Sequence, residues 1–405
     1  DGHGNNTAIG ANAMLNASTG TENTAIGMNA MGVGVVTGDF NVALGFNTGY
    51  ALTSGQRNTL IGTTAGDALT SGDYNVAVGM DALGAEDAHG RNTALGYQTL
   101  KIQNAGADAY NTAVGFQAGV EITTAVENTL IGSFAGDALT TGSSNTALGY
   151  HSLGAENTGS RAVAIGYGAL FTQDYNGSSY NVAVGYDAGA AVTTGVRNTI
   201  IGGLAGDALN TGSSNVAIGY AALSSEDAHG GNVAIGYSAL KTQDAGADGF
   251  NTAIGYDAGT NVTTGTLNTI VGGLAGDALT TGVRNVAVGF AALSAEDTGR
   301  YNTAVGSFAL EVLNADTDAY NTAIGYKAGA AVTTGVENTL LGGLAGDSLT
   351  SGSYNTAVGS RALQAEDAHG RNVAVGYSSL ATLNAAADAY NVAVGFKAGE
   401  VMTTG

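Results

Sequence analysis

The chain has 405 residues, with 66 Gly, no Pro, Cys or Trp, 11% charged residues, and 12 Lys and Arg against 33 Asp and Glu, a formal charge of -21. That composition excludes collagen, an ordinary disordered tail, a disulfide framework, a thiolate nucleophile and a Cys-ligated metal. Its negative field disfavours nucleic acid and anionic lipid as partners, and no stretch reaches the ~20 apolar residues of a membrane span. The opening Asp1-Gly2-His3-Gly4 carries neither Met nor a signal peptide, so the chain is expected to be processed or excerpted.

Asn6-Thr7-Ala8-Ile9-Gly10 opens a pattern that recurs 23 times, the last copy starting at Asn391. It reads Asn, then Thr or Val, a small or aliphatic residue, Ile, Leu or Val, and Gly. From residue 41 the spacings run 17, 17, 17 and 19, so Asn41, Asn111, Asn181, Asn251, Asn321 and Asn391 share one phase of a 70-residue, four-coil unit. Strict double periodicity of this kind is the signature of a repeat architecture. The expected fold is all-β: one continuous parallel β-solenoid, or β-roll, over residues 1–405, with 23 coils and no caps. At a strand spacing of about 4.8 Å it would extend roughly 110 Å.

Strand alternation puts positions two and four of the pattern on one face and position three on the other. Position two is always Thr or Val and position four always Ile, Leu or Val, so this branched face is expected to form the core. Position three is usually Ala but becomes Leu60, Leu130, Ile200, Ile270 and Leu340 once per unit, where the residue after the Gly shrinks to Thr63, Ser133, Gly203, Gly273 or Gly343. This reads as volume compensation. Most other coils place an aromatic after the Gly, giving a ladder that includes Tyr97, Phe116, Tyr150, Tyr186, Tyr220 and Tyr256. Packing or an inter-chain seam explains such a ladder, and an outward one would offer a sugar-stacking surface.

The Asn column, including Asn41, Asn58, Asn75, Asn92, Asn111, Asn181, Asn251, Asn321 and Asn391, is interrupted at Ala162. Stacked amides are expected to bond to the copies above and below, with Asn taking the left-handed corner. A segment such as Tyr220-Ala221-Ala222-Leu223 is expected to be a second strand in each coil, before a polar turn such as Ser351-Gly352 or Thr334-Gly335.

Asn215-Val216-Ala217-Ile218-Gly219-Tyr220 resembles the head repeats of trimeric autotransporter adhesins, the YadA-like parallel β-rolls, and the related repeats of tail-fibre-like proteins. The resemblance covers essentially the whole chain. It implies a left-handed β-roll, often a homotrimer, that attaches a bacterium or phage to a host-surface or matrix receptor. These residues show no heptad stalk, membrane-anchor barrel or tail-fibre chaperone domain, which leaves open a single-stranded solenoid or a head-to-tail filament as well as a trimer. The 15 residues from Asn391 and the 5 before Asn6 would place the first Asn of an adjoining chain at spacing 20, close to the internal 17 and 19. A segment of a longer repetitive protein is the other reading of the ends.

No catalytic, cofactor or metal residues are assigned. His89, His229 and His369 lie 140 residues apart, about 38 Å along such a stack, too far to share one ion. The acidic pairs Glu86-Asp87, Glu226-Asp227, Glu296-Asp297 and Glu366-Asp367 read as solvated turns. Ca²⁺ is the one ion they, or Asp316 and Asp318, could attract, although the Gly-Gly-x-Gly-x-Asp calcium repeat is absent. Gly32-Val33-Gly34 lacks a phosphate-binding context and reads as a turn. The expected function is a non-enzymatic structural or adhesive extracellular fibre on a bacterial surface that self-associates; a phage tail-fibre segment is the alternative, and an ice- or glycan-binding solenoid a third class.

Overall fold

The computed structural model describes residues 4–404; Asp1–His3 and Gly405, which enter the end-to-end spacing, lie outside them. Each repeat contributes one three-residue strand, 23 in all, and the strands pair in parallel, so the chain is an all-β solenoid with no helix among the described residues. It divides into two compact units, residues 1–198 and 199–405. The first holds eleven strands, from β1 (Thr7–Ile9) to β11 (Val182–Val184), and the second twelve, from β12 (Thr199–Ile201) to β23 (Val392–Val394). Within each unit, register follows the repeat residue by residue. Thr59, Leu60 and Ile61 pair with Val76, Ala77 and Val78, and Val286 pairs with Thr303 in the second unit.

The core face is the reverse of the one expected. Position three is buried in the strands, as at Ala25, Leu60, Ala94, Ala217 and Ile270, whereas the branched residues at positions two and four stay half-buried or exposed. The reason is volume: a coil of 17 residues encloses little space, and in most coils that space is already occupied by one large aliphatic side chain from its far side, such as Leu83, Leu100 or Leu52. Ala facing those leucines fills the interior at close-packed density, and a row of Ile opposite them would overfill it.

Volume compensation exists but involves different partners. Leu60 points inward and Thr63 outward, so Thr63 cannot relieve Leu60. The relief comes from glycines on the opposite wall. A Cβ on Gly49 would lie 2.9 Å from Leu60 Cδ1, and one on Gly66 would lie 2.9 Å from Leu60 Cδ2. The coils of Ala25, Ala77 and Ala94 instead carry Met31, Leu83 and Leu100 at the place that Gly49 and Gly66 occupy.

The strand-ending Gly has a separate role. Gly62 sits at φ 129°, and a Cβ there would approach the Gly79 carbonyl to 2.7 Å; Gly272 and Gly289 repeat the arrangement in the second unit. Successive coils touch backbone to backbone here, which only glycine permits.

The segment after that Gly is a turn and not the second strand expected. Ala221 and Leu223 adopt left-handed φ values of 53° and 52°. The Ala221 N–H donates to Gly203 O in the coil before and the Leu223 N–H to Ala239 O in the coil after, at 3.1 and 3.0 Å. Alternating left-handed residues thus aim successive N–H groups up and down the stack, which satisfies the backbone without a second sheet.

The Asn column is buried and works differently from a simple amide ladder. The Asn58 Nδ2 donates to Gly72 O at 2.8 Å, and its Oδ1 accepts the Asn75 backbone N–H at 2.8 Å, so this side chain ties a turn and the next strand together. Asn41, Asn111, Asn181, Asn251 and Asn321 likewise donate to turn carbonyls, of Gly55, Ala125, Gly195, Gly265 and Gly335. Asn92 and Asn391 join the column by donating their backbone N–H groups to the Oδ1 atoms of Asn75 and Asn372. Direct amide-to-amide bonds, such as Asn58 to Asn41 at 3.0 Å, are a supplement. The left-handed corner belongs to the residue before the Asn, as at Phe40 (φ 62°) and Arg57 (φ 56°). At Ala162 the acceptor is lost, and Ser179 Oγ takes its place beside Asn181, held in turn by Gln173 Nε2 at 3.2 Å.

Candidate interaction surface

Because the small face is inside, the branched face is outside. In each unit the strands display Thr or Val and Ile, Leu or Val in two parallel rows, with Leu44, Leu95, Leu148 and Ile324 among the exposed members. The flanking aromatic row also faces outward: Tyr97, Phe116, Tyr150, Tyr186, Tyr220 and Tyr256 are between 36% and 58% exposed. Its rings are used by one another. Tyr97 stacks on Phe116 at 5.1 Å and 15°, Tyr167 on Tyr186 at 5.3 Å and 13°, and Tyr237 on Tyr256 at 5.2 Å and 10°. Rings that lie face to face present edges and phenol groups to solvent, which removes most of the flat surface a sugar would stack on.

A second outward row went unread in the sequence. The residue before each Asn alternates between Arg and an aromatic over Phe40, Arg57, Tyr74, Arg91 and Tyr110. The Arg57 guanidinium lies 5.4 Å from the Phe40 ring centre and 5.4 Å from that of Tyr74, and Arg91 lies 5.8 and 5.5 Å from Tyr74 and Tyr110. Arg91 also pairs with Asp108 at 2.8 Å, and Arg371 repeats the motif with Tyr354, Tyr390 and Asp388. The signal was present as an alternation one residue ahead of the repeat motif. It is a stack-bracing row whose charge is largely met internally.

The acidic turns are only half solvated. Glu86, Glu156, Glu226, Glu296 and Glu366 are fully buried, and the residue after each, Asn157 in one case and Asp in the others, carries the solvent contact. Glu226 Oε1 accepts the His229 N–H at 3.0 Å and its Oε2 the Ala245 N–H at 3.4 Å; the His229 Nδ1 lies 3.2 Å from Oε1. Where Glu156 and Glu296 have no His, the place is taken by Gly159 and Gly299, and a Cβ on Gly299 would press to 2.5 Å from the carboxylate. Burial pushes the Glu156 and Glu296 carboxyls above the ordinary range, against the pull of the donors that face them, Gln173 and the Gly159 N–H for Glu156 and the Gly299 and Ala315 N–H groups for Glu296. The strict 70-residue spacing of these five Glu was the sequence signal for a structural role.

Glu226, Asp227, His229 and Asp244 bring ligand atoms within 4.8 Å of one another, as do Glu86, Asp87 and His89, and Glu366, Asp367 and His369. Each histidine thus meets carboxylates of its own turn. The set offers at most three carboxylates and an imidazole, and the Glu oxygens are already engaged by N–H groups. Asp316 accepts from Thr298 Oγ1 at 2.9 Å. These groups brace turns, and no ion is assigned to them. No helix among the described residues is long and apolar enough to cross a membrane. No family model matches the chain, and no curated protein is significantly similar to it.

Proposed function

We propose that the chain is a structural and adhesive subunit of an extracellular fibre or filament on a bacterial surface, of the kind its YadA-like repeats resemble, and that it self-associates through its outward sheet face. The observation that carries this reading is the continuity of that face within each unit: Thr or Val and Ile, Leu or Val recur on every rung, in register and part-exposed, and an aromatic flanks them on 13 of the 23. A contiguous apolar strip of this kind marks an interaction site, and identical rungs at one spacing suit a second copy with the same spacing. The charge of -21 opposes unspecific aggregation of such a strip. Adhesion to a host-surface or matrix receptor is the role proposed for the assembled fibre, and no catalytic role is proposed.

Electron microscopy with mass measurement in solution tests it. Finite rods of three-chain mass support the trimeric adhesin or tail-fibre arrangement, filaments with a repeat near one chain length support head-to-tail assembly, and a monomer at all concentrations overturns the proposal. A tail-attachment domain in an adjoining sequence would favour the phage alternative. The outward Thr row, 14 of 23 rungs, keeps ice binding a measurable third reading through thermal hysteresis.

A further inference from the structure

One site in the first unit departs from the repeat in a way that coil packing does not require. Tyr150, His151, Tyr167, Gly168, Phe171 and Asp187 line a concave site of about 290 Å³. Tyr150 and Tyr167 are stacked at 5.3 Å and 18°, and the His151 ring stands upright against Tyr150 at 4.4 Å and 89° and against Phe171 at 5.6 Å and 85°. The other side of His151 lies flat on Phe134 at 4.8 Å and 8°, which fixes the imidazole as a wall. Gly168, in a left-handed conformation at φ 62°, opens the space, and a Cβ there would collide with Asp187 Oδ1. Rings in two perpendicular orientations therefore surround a gap with a carboxylate at its side, and no Lys or Arg is among the lining residues.

The counterparts at 70-residue spacing show that the fold does not need these residues. His151 corresponds to Asp81, Ala221, Ala291 and Arg361; Phe171 to Lys101, Lys241, Glu311 and Ala381; Gly168 to Gln98, Ser238, Phe308 and Ser378. Only in this unit do aromatic walls at the first two positions coincide with the opening at the third. Aromatic rings and a carboxylate both attract positive charge, and an ammonium that gives up hydrogen bonds with water on entry loses more than one that makes none. A quaternary ammonium asks for none, and the volume lies near the roughly 300 Å³ lower end of small-molecule sites. We propose that this aromatic cage binds a quaternary ammonium group, as carried by choline headgroups or a trimethylated lysine.

The site does not depend on self-association, and mass measured on the same samples separates failure of this inference from failure of the fibre reading. The test is a ligand-observed NMR titration of the full chain with choline and with its uncharged isostere 3,3-dimethylbutanol. Saturable choline binding is expected, with the isostere at least about tenfold weaker. F171K, G168Q and D187Q install residues that other units already carry (Lys101, Gln98 and Gln117), so the coil persists, as circular dichroism checks. Each should weaken choline roughly tenfold, while D257Q, at the equivalent place outside the cage, should not. Choline-competed binding of a trimethyllysine peptide or of phosphatidylcholine vesicles assigns the source, and either result supports the cage. Absence of saturable choline binding, equal affinity for the isostere, or unchanged affinity in F171K and D187Q overturns it.

Discussion

Leu60 and Ile61 are adjacent, similar in volume and on opposite faces, so they test which face is the core. Leu60 is fully buried and fills the space left by Gly49 and Gly66, neither of which has a side chain that could relax into a cavity. Leu60→Ala should therefore cost about 2–5 kcal/mol, toward the upper part of that range. Ile61 is half-exposed, and Ile61→Ala should cost less than about 1 kcal/mol in the unassociated chain. Coil contacts are nearest-neighbour, so the loss should be local and is best read by hydrogen exchange with mass spectrometry. Protection in peptides around residues 41–80 should fall about 30-fold or more in Leu60→Ala and stay within about fivefold in Ile61→Ala, with peptides around residues 285–300 unchanged in both. A larger loss in Ile61→Ala than in Leu60→Ala would refute the face assignment and with it the outward apolar strip.

Asn58→Ala removes the acceptor for the Asn75 N–H and the donor to Gly72 O; with two interior groups orphaned at about 1–3 kcal/mol each, exchange protection of the coils starting at residues 58 and 75 should drop about 30-fold or more. A change below about 1 kcal/mol would mean that water replaces the amide, and that the column is not what ties turns to strands. For Glu156, a carboxyl raised above its ordinary 4.5 binds its proton more tightly in the folded chain. Its contribution therefore favours folding at low pH and is lost as pH rises from that ordinary value through the folded one. Melting temperatures of Glu156→Gln against the parent should coincide at low pH and favour the variant at pH 7; a variant less stable than the parent at pH 7 and equal at pH 4 would reverse the sign.

The repeat, its 17- and 19-residue coils, the four-coil unit and the parallel solenoid follow from the sequence alone, because one short motif returning at fixed spacing has to stack on itself. The buried Asn column was legible for the same reason, since a polar residue kept on nearly every rung must bond to its neighbours. Which face turns inward was not legible. Alternation separates Thr59 and Ile61 from Leu60 but does not orient them, and apolar character favoured the wrong side. Only the closed coil decides it, because its narrow interior admits Ala or one Leu opposite the leucines of the far wall and excludes a branched row. The left-handed turns at Ala221 and Leu223, the pairing of Leu60 with Gly49 and Gly66, and the burial of Glu226 beside exposed Asp227 are decided the same way. The cage at Tyr150, His151 and Phe171 also needed the tertiary structure: these residues lie up to 21 positions apart in sequence, and only stacking of adjacent coils sets their rings at right angles around one gap.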